Sequence, residues 1–339
     1  MSKPTRPTGA PAARTLCLDL QKGQRVDQVF LVETWNFKQT RNGKYFIQME
    51  IRDRSGSIKA IRWEATPELY SSFGVDDFVR IEGRVEEFQQ HLQIIVDDLT
   101  RIQADEVDLA DFLPHTARSI PEMEKELNSA VSELKNPFLS RLLQMFLADR
   151  EVSEGLPRCP AGKALHHAYI GGLLEHVLSL IQSVRRLAPN YPQLDLDLLV
   201  AGAVLHDIGK LRELSFARNF RYTDVGQLVG HISIGIAWVE EKVRQIPDFP
   251  RDLLTHLLHI IASHHGVPEY GAVKPPMTPE AIAFHYLDDL DAKLAGLDAI
   301  RKEQRLGGDG DTRWSAWNPS MGRKLFFPTH GGGEAGVAP

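Results

Sequence analysis

Five short stretches of this chain carry imidazole and carboxylate groups at spacings that could bring them to one point. They are "ALHHAYIGGLLEHVLSL" with His176, "LVAGAVLHDIGK" with His206 and Asp207, and "VGHISIGIAWVEEKV" with His231. "RDLLTHLLHIIASHHG" then ends on His264 and His265, and "FHYLDDLDAKL" carries Asp288, Asp289 and Asp291. Asp207 closes a run of mostly apolar residues, so the chain takes a carboxylate into its interior. Such a charge is costly unless something neutralises it. A divalent cation would do so, and the two oxygens of one carboxylate can bridge a pair of ions. Imidazole with carboxylate suits Mn, Fe, Co or Zn better than Ca or Mg.

Each of these residues alone has a plainer role. Tyr169, Leu173, His176 and Leu180 share one helical stripe, and an interior His is more often a hydrogen-bonded core residue than a ligand. His264 and His265 would complement the negative end of a helix that stops at Gly266. Gly209 stands where a helix C-cap is expected. Asp288, Asp289 and Asp291 would suit a solvated face, and His166 and His167 a polar first turn. The joint pattern outweighs these readings, and it leaves open whether Asp288 or Asp291 is the ligand. His256, His259 and His285 read as structural or surface. Cys17 and Cys159 have no His and acid arranged around them and read as inert.

These groups need elements to position them, and the sequence changes period to supply them. From about Val26 to Ile102 the period is two, as in strands. "VFLVETWNF", "KYFIQMEIRD", "IKAIRW", "FVRIEGRVEEF" and "LQIIVDDLTRI" read as five strands, with "ATPELYSSFG" as a short helical insert after the third. That order suits an OB-fold, a small barrel that often holds single-stranded nucleic acid. From about Ile120 to Lys302 the period is helical. The expected architecture is an α+β multidomain chain: an N-terminal five-stranded OB-type β-barrel and a C-terminal all-α helical bundle. The boundaries predicted are a disordered leader over 1–17, the barrel over 18–103, an acidic linker over 104–118, the helical domain over 119–305 and a largely irregular tail over 306–339.

Charge separates the strands. Residues 1–62 carry 12 Lys and Arg against 5 Asp and Glu, whereas residues 63–103 carry 3 against 9. Lys38, Arg41 and Lys44 lie in or beside the first hairpin loop, with Arg52, Arg54, Lys59 and Arg62 in or near the next strands. Trp35, Phe37, Phe46 and Trp63 are interleaved with them. Basic groups that track phosphates, with aromatics that stack on bases, are how OB-folds hold single strands. The 339 residues include no apolar run near the roughly 20 residues that span a bilayer. The opening "MSKPTRPTGAPAART" lacks the apolar stretch of a signal peptide. With only two cysteines, in different segments, a cytoplasmic protein with no membrane partner is expected.

His176, "HDIGK" and Asp288 resemble the H…HD…D signature of the HD superfamily of metal-dependent phosphohydrolases. "GHISIG" and "SHHG" resemble the branches with a two-metal centre. The branch that cleaves cyclic dinucleotides carries Gly-Tyr-Pro after its paired histidines; "HHGVPEYG" here departs from it. With the OB-type domain ahead, the whole chain except its two tails is similar to the YhaM-like 3'-to-5' exoribonucleases. That resemblance implies one or two divalent ions, manganese first, and single-stranded RNA or DNA as substrate. It implies that His176, His206, Asp207 and Asp288 hold one ion and Asp207, His231, His264 and His265 the other. Asp288 aligns with the first acid of the usual A-D-x-L-D-A motif. Asp207 and Lys210 would be catalytic, with Lys210 contacting phosphate, and His166, His167 and Asp291 are candidate substrate contacts. Lys38, Arg41, Lys44, Arg52, Lys59, Arg62, Trp35 and Phe37 would bind the strand. The reaction implied is attack of an activated water on the terminal phosphodiester, releasing a nucleoside monophosphate. The alternative is an HD phosphohydrolase of small nucleotides with a regulatory OB domain.

Overall fold

The computed structural model describes residues 14–89, 91–162, 167–216, 220–306, 313–319 and 321–328. The chain divides into two compact units, one running to His115 and the other opening at Thr116.

The first unit is built on β1 (Arg25–Gln39), β2 (Tyr45–Arg52), β3 (Ser57–Trp63), α1 (Pro67–Ser71), β4 (Phe78–Phe88) and β5 (His91–Ile102). The strands close into a barrel in the order β1-β2-β3-β5-β4. Neighbours are antiparallel except β3 and β5, which run parallel. Alternation decides the core: Ile47, Met49 and Ile51 of β2 point inward and are buried, as are Ile58 and Ala60 of β3. The β4–β5 pairing steps in register between Glu82 and Gly83, where Asp97 of β5 is the extra, bulged residue, and a Cβ on Gly83 would meet the Ile95 carbonyl at 2.3 Å. α1 follows β3, with Thr66 accepting from the Leu69 amide and Pro67 in the first turn.

Two stretches expected to be loose are built onto this barrel. Residues 104–115, expected to be linker, contain two 3-10 turns and bury Phe112 and Leu113. Phe112 packs against Phe78 at 4.8 Å between ring centres. Arg14, expected in the disordered leader, lies over the Phe112 ring and donates to the Val29 carbonyl. Cys17 is buried, with its amide bonded to Asp53. The acidic composition of 104–115 masked its apolar anchors.

The second unit holds α2 (Ile120–Ser132), α3 (Pro137–Leu147), α4 (Arg150–Gly155), α5 (Gly172–Leu187), α6 (Leu196–Leu205) and α7 (Lys210–Glu213). A two-stranded ribbon follows, β6 (Leu214–Ser215) and β7 (Arg221–Tyr222). α8 (Asp224–Val229), α9 (His231–Val243), α10 (Arg251–Ser263) and α11 (Pro279–Leu306) complete it. α6 is apolar all round and is its hub. Every residue from Leu198 to Leu205 is buried. Asp195 caps its start by accepting from the Leu198 amide. Among the described residues, no helix is long and apolar enough to cross a membrane.

Candidate metal centre

α6 carries His206 and Asp207 off its C-terminal end into the core, where both are buried. α10 ends in the same way on His264 and His265. Both helices therefore bring carbonyl-rich, electronegative ends with their histidines, which favours a cation beside them. α5 supplies His176, the first residue of α9 is His231, and α11 supplies Asp288 and Asp291. Gly209 is not the C-cap expected. It has ordinary right-handed dihedrals, and a Cβ would lie 2.0 Å from the His231 carbonyl. Its role is to let the turn after Asp207 touch the start of α9.

Asp207 stands between two sets of imidazoles. Its Oδ2 accepts from Lys210 Nζ at 2.6 Å and lies 3.3 Å from His206 Nε2. His206 Nε2 is in turn 3.3 Å from His176 Nε2. Asp288 Oδ1 lies 3.1 Å from His176 Nε2 and 3.8 Å from His206 Nε2. On the other side, Asp207 Oδ1 lies 3.3 Å from His231 Nε2 and 3.7 Å from His264 Nε2. These last three atoms are buried and have no hydrogen-bond partner. One donor atom each from His231, His264 and His265 lies within 4.8 Å of the others. The same holds for His176, His206 and Asp288.

The far side of each ring fixes which nitrogen faces the centre. Nδ1 of His206 donates to the Ala203 carbonyl at 3.1 Å, and that of His264 to the Ile261 carbonyl at 2.8 Å. Nδ1 of His265 donates to the Tyr270 carbonyl at 2.5 Å. His231 Nδ1 bonds Glu213 at 3.0 Å, and His176 Nδ1 bonds Asp291 at 2.7 Å. A carbonyl only accepts, so these protons sit on Nδ1 and leave Nε2 lone pairs aimed inward. Metal-binding histidines are oriented in this way. A buried acceptor left without a donor costs about 1–3 kcal/mol. Asp207 Oδ1 and the two facing Nε2 atoms therefore fit a divalent cation, which would satisfy all three.

Charge follows the same division. Burial disfavours the Asp207 carboxylate, but Lys210, His206 and His231 outweigh it and hold its pKa well below the usual range. His176 is also buried, yet its bonds to Asp288 and Asp291 raise it to about 9. His264 goes the other way: burial and the neighbouring His265 and His206 push it well below its ordinary value. His265 is lowered too, by burial and by His231.

On the barrel, Phe46 and Trp63 pair across β2 and β3 with ring centres 4.9 Å apart. Trp63 is 45% exposed. Lys38 is opposite Phe46 on β1 and bonds Gln48 at 2.6 Å. Lys59 sits on the same outer face, opposite Glu50. Arg41 lies exposed in the hairpin loop, and Lys44 pairs with Glu64. Arg52 bonds Glu33 at 3.0 Å. Trp35, Phe37 and Arg62 are placed differently from the strand-binding reading. Trp35 and Phe37 share the inward parity of their partners Met49 and Ile47 and pack on the barrel core. Phe37 has Tyr45 at 4.8 Å and Tyr70 at 5.0 Å, and Trp35 stacks on Tyr70 at 5.2 Å. Arg62 turns inward as well, donating to the Val96 carbonyl at 3.1 Å.

The HD domain family matches residues 173–293, and the OB-fold nucleic acid binding domain family matches residues 29–102. The 3'-5' exoribonuclease YhaM of Bacillus velezensis is 35% identical over 305 residues, covering 90% of this chain and 96% of its own. The YhaM of Bacillus subtilis is 34% identical over the same coverage. This chain belongs to the YhaM family. Within this YhaM-family chain, seven of the residues picked out in sequence stand around one point: His176, His206, Asp207, His231, His264, His265 and Asp288. Asp291 lies behind His176 rather than beside Asp207. Lys210 is buried, its Nζ held by Asp207 and by the Ala161 carbonyl at 2.5 Å. His167 meets Asp291 at 3.1 Å, and His166 lies outside the described residues. His259 and His285, read as structural, bond the Met277 amide and the His264 carbonyl. Glu213 was missed, although it accepts from both the amide and the ring of His231. The only hint of it in sequence is a carboxylate three residues after Lys210.

Proposed function

We propose that this chain is a metal-dependent 3'-5' exoribonuclease that shortens single-stranded RNA to nucleoside monophosphates in the cytoplasm, with manganese as its preferred ion. The observation that carries this reading is Asp207: one buried oxygen faces His206, and the other is left unpartnered before His231 and His264. His176, His206, Asp207 and Asp288 would hold one ion, and Asp207, His231, His264 and His265 a second. Bound divalent ions supply charge neutralisation at the phosphoryl group and lower the pKa of water to near neutral.

The chain's own residues do the rest. Asp291 and Glu213 hold His176 and His231 with Nε2 inward. Lys210 balances the Asp207 charge and keeps an ammonium beside the phosphate as negative charge develops on its oxygens. Phe46 and Trp63 offer a stacking surface for bases, with Lys38, Arg41, Lys44 and Lys59 beside the backbone phosphates. The test is incubation of the manganese-loaded protein with a 5'-labelled single-stranded RNA. The expected result is a ladder shortening from the 3' end, with nucleoside 5'-monophosphates released. Hydrolysis of free nucleotides with no attack on the strand would overturn it.

A further inference from the structure

Behind His176 the structure holds a run of polar groups that neither proposed ion would touch. Asp291 Oδ2 accepts from His176 Nδ1 at 2.7 Å and also meets His167 Nε2 at 3.1 Å. Its other oxygen takes a bond from the Ser179 hydroxyl. His167 Nδ1 lies 2.7 Å from the Tyr169 hydroxyl, which donates to Glu175 Oε2 at 3.0 Å. Glu175 Oε2 also accepts from the Thr116 hydroxyl at 2.6 Å. Thr116 is the residue with which the helical unit opens, and its amide bonds the Ile170 carbonyl at 2.9 Å.

His167 is held at φ +45°, a conformation uncommon for a residue with a side chain. Its carbonyl accepts from the amides of Ala161 and Tyr169, and a Cβ on Gly172 would lie 2.0 Å from it. Backbone strain of this kind persists only where the surroundings fix the residue. Here it aims the imidazole at Asp291. Among the described residues, His231 and His264 have no counterpart to this run. One is held by Glu213, the other by the Ile261 carbonyl of its own helix.

We propose that His167, Tyr169 and Glu175 are positioning residues that hold Asp291, and through it His176, and that Thr116 anchors this run where the chain enters the helical unit. The proposal rests on the two-ion reading above. It assigns the run to one ion only, the one that His176 would hold. Loss of a partner behind a metal ligand typically weakens metal affinity 10- to 100-fold. A residue one bond further back should cost about tenfold or less.

The test is equilibrium dialysis of the full-length protein against manganese, followed by metal analysis. His167→Asn keeps a residue that tolerates positive φ but removes the two-ended bridge. It should weaken one of two manganese sites about tenfold and leave the other alone. Tyr169→Phe and Thr116→Val should shift the same site by smaller factors, and Thr116→Ser should restore it. If His167→Asn does not fold, Tyr169→Phe decides, since it removes one hydroxyl without changing shape. Wild-type affinity at both sites in Tyr169→Phe and His167→Asn would overturn the proposal. So would equal weakening of both sites with a falling melting temperature, the mark of a merely structural network. If the unaltered protein itself binds no divalent ion, the functional reading fails before this one is reached.

Discussion

Apart from the buried Asp53 and Asp77, ionised side chains of the barrel meet largely at the surface, Arg80 with Asp27 and Lys22 with Glu87 among them. Such pairs contribute about 0–1 kcal/mol each. In the helical unit, His206, Asp207 and His264 are buried where α6 and α10 end and His176 is buried within α5, and Asp207 Oδ1 faces the unpartnered Nε2 atoms of His231 and His264. Removing one partner of a buried charged pair costs about 3–5 kcal/mol. The barrel's exposed charges can therefore be rearranged at little cost to its fold and suit contact with a polyanion. Those of the helical unit are tied to the packing and suit a cation. On the reading proposed above, binding and chemistry would be divided between two regions of one chain.

Metal removal should separate the regions most sharply. Chelation is expected to abolish hydrolysis and leave strand binding by the barrel largely in place. Manganese should restore turnover better than magnesium, which binds imidazole poorly. Saturating ion, at a hundred times its Kd, should also stabilise the folded protein by about 2.7 kcal/mol. Metal analysis, strand-binding isotherms, thermal unfolding and rate measurements on one preparation check all four. Full activity with magnesium alone would count against a histidine-rich centre.

Two tryptophans sharpen the barrel's side of the comparison. Trp63→Ala should weaken single-strand binding by about 1–3 kcal/mol with little change in melting temperature. Trp35→Ala should do the reverse, destabilising the barrel by roughly 2 kcal/mol or more. Binding isotherms and unfolding curves for both variants separate stacking from packing. An unchanged affinity in Trp63→Ala would remove the outer face of β2 and β3 as the strand's path.

Within the helical unit the two halves of the centre should differ in pH dependence. His176, raised to about 9, carries a proton at neutral pH in the metal-free protein. An ion must displace that proton, so its apparent affinity should rise about tenfold per pH unit up to roughly pH 9 and then level off. His264 and His265 are lowered and stay neutral there, so the other ion should show little dependence above pH 7. Manganese titrations at pH 6, 7, 8 and 9 would reveal the two slopes, and identical slopes would contradict the assignment.

The smallest effect expected is on salt dependence. Lys38, Arg41 and Lys44 changed together to Ala should flatten the log-log salt slope of RNA binding by about 0.7 for each phosphate no longer neutralised. Because Lys44 is already paired with Glu64, the change should fall short of that for three phosphates. Binding at several salt concentrations reads it directly.

That His176, His206, Asp207, His231, His264 and His265 gather at one point with an acid of α11 was legible in sequence from their joint pattern, with His206 and His264 following closely on apolar stretches. Which acid on α11 joins them was not, because Asp288 and Asp291 lie within one turn and only packing against α5 sorts them. Glu213 was invisible for a related reason, since its partner His231 is 18 residues away across a ribbon and a helix. In the barrel, the five strands and the insert followed from period and turns. The choice of aromatics did not. Trp35 and Phe37 share parity with the core, and the stretch over 45–63 already held their outward counterparts, Phe46 and Trp63. The segment 104–115 read as a linker because its acids conceal two apolar anchors, Phe112 and Leu113.

Central to the division of labour proposed above is Asp207. Asp207→Asn keeps the size of the side chain and an acceptor for Lys210 but removes its counter-charge, so an unfolding curve accompanies the assay and only folded protein is compared. Its affinity for a single-stranded RNA and its rate of 3'-end shortening, measured beside the unaltered protein in manganese, test this directly. The predicted result is strand affinity within a few-fold of the original, no detectable nucleoside monophosphate and reduced bound metal. Near-normal shortening with full metal content would contradict the account.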